Sequence, residues 1–370
     1  MRESALRSHT DPERNPLRVL VVRLGAMGDV LHAMPAVAAL RAQLPECYVG
    51  WAIEPRWAPL LHSDTAAAPH TRSMPLVDVV HTANARGWAR QPLASSTWRA
   101  MRALRSELHA QRYDLAIDLQ GAVRSALIGR ASGAELVGEA EPREGPARWL
   151  FQHTVATRGV HVIEQAAEVV AGATGLQLTP QLTPLPMDCA AEARVAAMLP
   201  EAQPLVLLHP GAGWGAKRWP AERYGRVATG LASRGYSVVV NCAPGEETLA
   251  MDVARSSGGA AREIVTDMAE LIAMTRRCAL VIGGDTGPAH LACALGKPVV
   301  GIYGPTDPAR NGPWGVPFRV LRHPESRRDH ARRSAPEAGL LMIEPEEVLA
   351  AVDELLGSEG SAAGRSVVQA

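Results

Sequence analysis

The sequence predicts an α/β protein with two doubly wound parallel sheets, one in each half of the chain. Three observations support this prediction. Apolar runs typical of strands alternate with helical stretches, a proline-rich segment interrupts the alternation once, and the same alternation then resumes. With 370 residues, the chain has the length of two ordinary domains rather than one.

The first half begins with a buried strand at residues 17–24, followed by a glycine turn and a helix from about Val30 to Leu44. Further strands are predicted at 48–54, 77–83 and 113–121, with a similar pattern at 134–141. A helix at about 97–111 separates two of these strands. Strands joined by helices in this way form a parallel sheet that is covered on both faces.

The alternation stops at residues 175–189, where three prolines stand within seven residues from Pro180, as in a connection between domains. After a helix near 190–199, strand-and-turn patterns follow at 204–213, 236–245, 279–296 and 297–305. The predicted divisions are a disordered tail at 1–16, a first domain at 17–180, a linker at 181–189, a second domain at 190–343, a C-terminal helix at 344–357 and a disordered tail at 358–370.

The composition disfavours several classes of protein. Lys plus Arg and Asp plus Glu number 38 each, so the overall charge does not predict nucleic-acid binding. The five cysteines are scattered without a CxxC pair, which disfavours a disulfide framework or a structural zinc site and favours a reducing cytoplasm. No apolar run reaches the roughly 18 residues that span a bilayer. The GxGxxG and GxxxxGK[ST] fingerprints are absent, and no HxxxH, HExxH or DxD pattern predicts a metal site.

Two turns of the second half have the composition of anion-binding loops. The first, "HPGAGWGAKRWP" at 209–220, places glycines such as Gly211 beside Lys217 and Arg218. Glycine lets main-chain N–H groups approach an anion closely, and a nearby ammonium group neutralises the anion. An exposed basic loop before a proline-started helix explains the same residues equally well.

The second turn, "GGDTGPAH" at 283–290, ends a strand and starts a helix near Pro288. Thr286 is expected to cap that helix, so that the free N–H groups at its start form a phosphate cradle. In the plainer alternative, Asp285 is the N-cap and His290 is a core histidine.

Acidic residues mark two other turns. Glu246 and Glu247 follow the strand in "NCAPGEETLA" at 241–250, where a carboxylate suits a ribose diol and two solvated first-turn glutamates are the alternative. Asp29 lies in "VVRLGAMGDVLHAMPA" at 21–36, at a helix start that would favour an anion from outside. Either Asp29 caps the helix or it acts as a general base, and the two roles are compatible.

Together, "RLGAMGDVLHAMPA", "HPGAGWGAKRWP" and "GGDTGPAHLACALGKPVVGIYGPTDP" resemble the ADP-heptose:lipopolysaccharide heptosyltransferases of glycosyltransferase family 9, over roughly Leu17 to Leu356. The chain looks most like the type I members, because "YDLAIDLQGAVRSALI" fits them and the late segment "HPESRRDHARRSAPEAG" has no cysteine. The resemblance implies a GT-B fold, in which two Rossmann-like domains face each other across a central cleft. It also implies an inverting transfer of heptose from ADP-heptose to the Kdo of lipid A, without a metal or another cofactor.

The resemblance also implies roles for individual residues. Asp29 corresponds to the catalytic base, and Lys217 to the lysine that neutralises the departing phosphate. Asp285 would contact the heptose hydroxyls, Glu246 the ribose, and the main chain near Met268 the adenine. The donor contacts implied in full are those of Gly211, Ala212, Glu246, Met268, Asp285, Thr286, Gly287 and His290.

The implied acceptor carries carboxylates and phosphates, which guanidinium groups bind in a two-pronged way. Candidate acceptor residues are Arg86, Arg90, Arg124 and Arg143, and an exposed surface charge is the alternative for each. Because such an acceptor is lipid-anchored, the protein is expected in the cytoplasm, in transient contact with the inner-membrane surface and without a nucleic-acid partner.

Overall fold

The computed structural model describes residues 16–63, 68–199, 203–329 and 333–357. The tail predicted at 358–370 lies outside the described residues, as does the tail predicted at 1–16 except for Pro16. The chain divides into two compact units, Met1–Met187 and Asp188–Ala370.

The first unit contains a six-stranded parallel sheet in the order β3-β2-β1-β4-β5-β6. Val21 at its centre pairs with Trp51 on one side and with Ile117 on the other. The elements are β1 (Arg18–Val22), α1 (Met27–Gln43), β2 (Tyr48–Ile53), β3 (Val79–Thr82), α2 (Ala85–Arg90), α3 (Ser95–Ala110), β4 (Leu115–Asp118), α4 (Val123–Ala131), β5 (Glu135–Glu139), β6 (His153–Val155) and α5 (Val162–Thr174), with 3-10 helices at Pro55–Leu60 and Gly145–Leu150.

Helices cover both faces of this sheet, which is why its central strands are continuous apolar runs. On one face, α1 packs against α5. On the other face, α3, α4 and the 3-10 helix Gly145–Leu150 pack together over Leu20, Val22 and Ala116, and their buried side chains include Leu104, Ile128 and Ala147.

The second unit repeats this topology, with its six parallel strands in the order β12-β11-β10-β7-β8-β9. Leu208 of β7 pairs with Ile282 of β10 and with Val240 of β8. The elements are α6 (Cys189–Met198), β7 (Leu205–His209), α7 (Ala221–Ser233), β8 (Ser237–Cys242), α8 (Glu247–Ser256), β9 (Ala261–Val265), α9 (Met268–Arg277), β10 (Leu280–Gly284), α10 (Gly287–Ala294), β11 (Val299–Tyr303), α11 (Pro308–Asn311), β12 (Phe318–Arg322) and α12 (Pro345–Gly357), with 3-10 helices at Gly215–Lys217 and Leu340–Met342.

The core of the second unit also lies on both faces of its sheet. One apolar cluster joins Val206 and Leu208 to Trp219 of the loop before α7 and to Val352 of α12. The Trp219 indole N–H also donates to the Ile343 carbonyl oxygen at 3.1 Å, which ties the segment before α12 to the loop after β7. A second cluster joins Leu207 to helices α6 and α9. The predicted fold class, two doubly wound α/β sheets, is therefore confirmed.

The structure differs from the sequence prediction at the edges of the sheets. Strands β6, β9 and β12 were not predicted, and each is the outermost strand of its sheet. Much of each strand is exposed, as in the pattern of β9, where only Ala261 is buried. An edge strand faces solvent, so it lacks the continuous apolar run that identifies a central strand.

Candidate active site

The two loops that carry the second unit's anion-binding motifs lie next to each other at the centre of its sheet. They follow β7 and β10, which are neighbours: His209, the last residue of β7, pairs with Gly283 of β10. The chain continues from β7 to β8 on one side and from β10 to β11 on the other side. A crevice therefore opens between the two loops at this point. In open α/β sheets, ligands bind at the carboxyl ends of the strands at such a switch point.

Lys217 and Asp285 form an ion pair at this switch point. The Lys217 ammonium group also donates to the Asp285 carbonyl oxygen at 3.2 Å, and it lies 4.3 Å from the centroid of the Trp214 ring. His290 Nε2 lies 3.1 Å from the other carboxylate oxygen of Asp285. All three charged or titratable side chains are nearly buried, with exposed fractions of 10%, 8% and 6% for Lys217, Asp285 and His290.

The surroundings of Asp285 favour its ionised form. Burial raises the pKa of this carboxyl group, but the hydrogen bond and charge of His290 and the charge of Lys217 outweigh burial and hold the pKa well below its ordinary value. Asp285 is therefore an anionic acceptor at neutral pH, and a carboxylate has more lone pairs than these two partners occupy.

Helix α10 begins at Gly287, with Thr286 at the N-cap position. Thr286 occupies the N-cap position, as expected, but its side chain makes no cap hydrogen bond, and its hydroxyl donates to the Gly284 carbonyl oxygen at 3.3 Å. The alternative that Asp285 is the N-cap is wrong, and its carboxylate turns to Lys217 and His290. The first N–H groups of a helix have no partner within it, so the start of α10 presents donors beside the ion pair.

The turns after β7 and β8 bring Gly211 and Glu246 together. A Cβ atom at Gly211 would lie 2.9 Å from Glu246 Oε2, so a side chain at this position would displace the carboxylate. Glu247 differs from its neighbour, because both of its carboxylate oxygens accept the Gly245 N–H at 2.9 Å. Glu246 therefore faces the glycine turn, while Glu247 closes its own loop.

Two other donor candidates lie on the same edge of the second sheet. Ala212 is buried in the loop after β7. Met268 is the first residue of α9 and is half-buried after β9. The Asn241 amide donates to the Thr266 hydroxyl at 2.8 Å and thereby joins the ends of β8 and β9. The structure therefore places all eight donor candidates on loops or helix starts at the carboxyl ends of the second unit's strands.

In the first unit, Asp29 lies at the equivalent switch point, after β1 and beside β4. The expectation that Asp29 caps a helix from Val30 is wrong, because α1 begins at Met27 with Ala26 as its N-cap. Asp29 is the third residue of the helix, and its Oδ2 accepts the Ala26 N–H at 3.0 Å. Its side chain is 40% exposed, which leaves the carboxylate accessible.

Arg23 holds Asp29, and the sequence reasoning did not identify it. Arg23 Nη2 lies 3.0 Å from Asp29 Oδ1, and Nη1 of the same guanidinium donates to the Leu119 carbonyl oxygen after β4. The arginine side chain is only 17% exposed, and it connects the segment after β1 to the segment after β4. The sequence did contain an indication of this role, because Arg23 is a charged residue directly after an apolar strand. Ligands bind at the carboxyl ends of the strands of a parallel sheet, and side chains in this position can reach them.

The acceptor candidate Arg86 pairs with a buried acid that was also missed. Arg86 Nε lies 3.5 Å from Glu54 Oε2, and Arg56 Nε lies 3.4 Å from the same oxygen. Burial and the neighbouring Arg86 charge lower the pKa of Arg56, although Glu54 opposes this effect. Two guanidinium groups share one carboxylate, so the cluster keeps a net positive charge. Glu54 directly follows β2, and this position at the carboxyl end of a strand could have identified it as a candidate site residue from the sequence.

Arg124, in the first turn of α4, and Arg143, on the loop after β5, lie on segments that are hydrogen-bonded to each other. The Glu144 N–H donates to the Gly121 carbonyl oxygen at 2.8 Å, and Glu144 Oε2 accepts the Val123 N–H at 2.9 Å. Both arginines are exposed at the carboxyl end of the first sheet. Arg90 is different, because it ends α2 and is exposed there without an ion pair to any described residue.

Clusters of metal ligands and membrane-spanning helices are both absent from the described part of the chain. Within residues 16–63, 68–199, 203–329 and 333–357, no group of three or more His, Cys, Asp or Glu side chains is arranged to hold a metal ion. In the same ranges, no helix combines the length and apolar character needed to span a bilayer.

Comparisons with known proteins agree with this architecture. Residues 101–340 match the sequence model of glycosyltransferase family 9 (heptosyltransferase). The lipopolysaccharide heptosyltransferase 1 of Escherichia coli K12 is 30% identical, over 83% of this chain and 94% of that protein. The lipooligosaccharide heptosyltransferase 2 of Haemophilus influenzae is 25% identical, over 92% of this chain and 99% of that protein.

A solved structure has the same fold. The structure of the Escherichia coli heptosyltransferase WaaC with ADP matches at a TM-score of 0.74 and 24% identity, over 91% of this chain and 99% of that one. This likeness establishes the fold, and it agrees with the GT-B class expected from the sequence.

We predict that Asp285→Asn weakens the acid dependence of unfolding. Because the pKa of Asp285 is lower in the folded protein than in the unfolded chain, its contribution to stability is complete above the ordinary carboxyl pKa of about 3.9 and is lost as the pH falls below that value. Denaturant midpoints measured from neutral pH down to acid pH should therefore fall less steeply in the variant than in the parent chain.

The matched control for this prediction is Asp252→Asn on α8. Asp252 forms an ion pair with Arg255 that is largely exposed, and such pairs contribute little to stability. The control should keep the acid slope of the parent. An unchanged slope in Asp285→Asn would contradict the assignment.

Proposed function

Because the chain belongs to glycosyltransferase family 9, we propose that it transfers heptose from ADP-heptose to the Kdo of the lipid A inner core, as a type I heptosyltransferase. The observation that carries this proposal is the cluster of Lys217, Asp285 and His290 beside the start of α10. A buried ammonium group, free helix N–H groups and an ionised acceptor suit a sugar diphosphate, which offers both anionic oxygens and hydroxyl groups.

In the proposed donor complex, Lys217 and the start of α10 neutralise the diphosphate. Negative charge grows on the leaving phosphate oxygen as the bond to the sugar breaks, so a fixed cation at this point lowers the barrier. Asp285 accepts hydrogen bonds from heptose hydroxyls and stays ionised because His290 remains its partner. Glu246 accepts hydrogen bonds from the ribose, and the main chain near Met268 contacts the adenine.

We assign Asp29 as the general base. The acceptor hydroxyl oxygen attacks the anomeric carbon and forms the new glycosidic bond, while the bond from that carbon to the diphosphate breaks and ADP leaves. Asp29 takes the hydroxyl proton. A single displacement inverts the anomeric centre, because the nucleophile approaches from the face opposite the leaving group. Arg23 fixes the Asp29 carboxylate through Oδ1, and the 40% exposure of the side chain leaves room for the acceptor.

The first unit also supplies positive charge for the acceptor. Arg56 and Arg86 share Glu54, and Arg124 at the start of α4 and Arg143 on the loop after β5 are exposed on segments that are hydrogen-bonded to each other. Guanidinium groups bind carboxylates and phosphates in bidentate fashion, so these four residues are the acceptor contacts that the proposal favours. Arg90 is proposed as an outer contact on α2.

We further propose that transfer needs no metal and no other cofactor, since Lys217 and the start of α10 provide the positive charge that a divalent ion would otherwise supply. Purified protein given ADP-heptose and a Kdo-bearing lipid A acceptor should release ADP at the same rate with and without a chelator. Activity that is lost with chelator and restored by Mg²⁺ would contradict the metal-independent mechanism.

The same assay decides the acceptor. A type II enzyme is the second candidate, because the relative named heptosyltransferase 2 aligns over 92% of this chain. The type I proposal predicts ADP release with an acceptor that ends in Kdo. Release only with an acceptor that already carries one heptose would support type II instead.

We predict that Asp29→Asn lowers kcat by about 10²–10⁴-fold, the usual contribution of a general base, while ADP affinity stays unchanged. The matched control is Glu164→Gln. Glu164 is the third residue of α5, and its carboxylate accepts the His161 N–H in the way that Asp29 accepts the Ala26 N–H. The control should keep the parent rate, whereas loss of ADP binding in Asp29→Asn would count against a base.

Two neighbouring glutamates provide a test of the ribose contact. Glu246→Gln should weaken ADP binding by on the order of tenfold, because hydrogen bonds to a charged group are lost. Glu247→Gln should leave ADP affinity unchanged, since that carboxylate binds the Gly245 N–H. Calorimetric titration of both variants with ADP measures the difference. A larger loss in Glu247→Gln would reverse the assignment.

A further inference from the structure

One face of the first unit exposes large apolar side chains. They lie on α3, on α4, on the 3-10 helix Gly145–Leu150 and just before α3, and their exposed fractions run from 42% for Met101 to 91% for Leu93. These residues are Leu93, Trp98, Met101, Leu127 and Trp149. Exposed apolar residues are ordinary when scattered, but a group of them on adjoining elements marks an interaction surface.

Arginines alternate with these apolar side chains. On α3, Trp98, Met101, Arg102 and Arg105 share one helical stripe, because they follow the spacing i, i+3, i+4 and i+7. On α4, the three exposed residues are Arg124, Leu127 and Arg130. On the 3-10 helix, Arg148 stands next to Trp149 and both are exposed. We call these five arginines and the five apolar residues the tryptophan–arginine face.

Few acids accompany the arginines of this face, and one of them is the exposed Glu144 just before the 3-10 helix, whose carboxylate accepts the Val123 N–H. None of these arginines forms an ion pair with another described residue, whereas Arg41 and Arg276 elsewhere in the chain are paired. Helix α4 and the 3-10 helix contain no acidic residue. The single acid of α3, Glu107, pairs with His81. The face is therefore both apolar and positively charged.

The elements of the face form one continuous layer. Helix α3 packs against α4, and α4 packs against the 3-10 helix, all on the same side of the first sheet. Helix α3 buries only Thr97, Leu104 and Leu108, so most of its surface has no partner within the unit. The first turns of α3 and α4 lie at the carboxyl end of the sheet, because each helix runs back antiparallel to the strands. Asp29 lies at that same edge.

We propose that the tryptophan–arginine face docks on an anionic phospholipid surface. Tryptophan partitions to the boundary between head groups and acyl chains, and leucine and methionine insert just below it. Arginines interact with the anionic head groups, each worth about fivefold in binding. An RNA or DNA ligand would use the charge, but it would leave Leu93, Met101 and Leu127 without a role. The benefit of docking, access to a lipid-linked acceptor, rests on the proposed function, whereas docking itself does not.

The test uses the full chain and sedimentation with vesicles, without any substrate. The probes are vesicles of phosphatidylcholine alone and of phosphatidylcholine mixed with an equal part of phosphatidylglycerol. The parent chain should bind the anionic vesicles, release them at high salt and bind the neutral vesicles far more weakly. Failure to bind the anionic vesicles would overturn the proposal, and it would leave the transfer assay unaffected.

Matched double variants locate the contact. Met101→Ser with Arg105→Gln changes an exposed pair four residues apart on α3, and Met251→Ser with Arg255→Gln changes the same pair on α8 of the second unit. Met101 and Met251 are 42% and 40% exposed, so both variants should fold, which circular dichroism can verify. The α3 variant should bind anionic vesicles roughly tenfold more weakly than the parent, since it loses one arginine and one apolar contact. The α8 variant should bind like the parent.

Three results would overturn the proposal. The first is an equal loss of vesicle binding in the two double variants. The second is RNA binding through this face. In that case RNA would displace the parent chain from vesicles, and only the α3 variant would lose RNA binding. The third is a parent chain that dimerises through this face without binding vesicles, with the α3 variant monomeric, which would make a second copy the occupant.

Discussion

The ion pair between Lys217 and Asp285 organises the candidate donor site. The two residues are 68 positions apart in the chain, on the loops that follow neighbouring strands β7 and β10. Because both side chains are nearly buried, each charge depends on the other, and removing one partner of such a pair typically costs about 3–5 kcal/mol. The pair therefore holds the loop after β7 against the start of α10. The proposed donor contacts from the glycine turn, the helix N–H groups and His290 depend on this placement of the loop.

The two units have the same strand order, and exposure distinguishes the aspartates at their switch points. Asp29 and Asp285 both follow a central strand at a switch point, and Asp29 pairs with Arg23 whereas Asp285 pairs with Lys217 and His290. Asp29 is 40% exposed, which is the accessibility that the proposed general base requires. Asp285 is 8% exposed and strongly ionised, so it suits hydrogen bonding to a bound sugar rather than proton transfer. The proposed assignment of Asp29 as the base and Asp285 as a sugar ligand therefore rests on burial as much as on residue type.

The sequence predicted what is determined locally. Central strands such as β1 and β10 were predicted because parallel strands are apolar throughout, and the edge strands β6, β9 and β12 were missed because solvent exposure removes that signal. Motifs located the candidate residues of each loop. Their partners could not be predicted, because the contact of Asp285 with Lys217 and that of Arg23 with Leu119 depend on which strands become neighbours. The start of α1 was predicted at Val30 because the apolar residues with helical spacing begin there. The helix in fact begins three residues earlier, at Met27, with Ala26 as its N-cap.

The most direct test of the account is a crystal structure of this chain with ADP bound. Our prediction is that the diphosphate lies within hydrogen-bond distance of the Lys217 ammonium group and of the first N–H groups of α10, with the ribose hydroxyls at Glu246. It would be contradicted if the phosphates lay on the loop that carries Asp29, far from Lys217 and Asp285, because the same carboxylate could not then serve as the base that faces the acceptor.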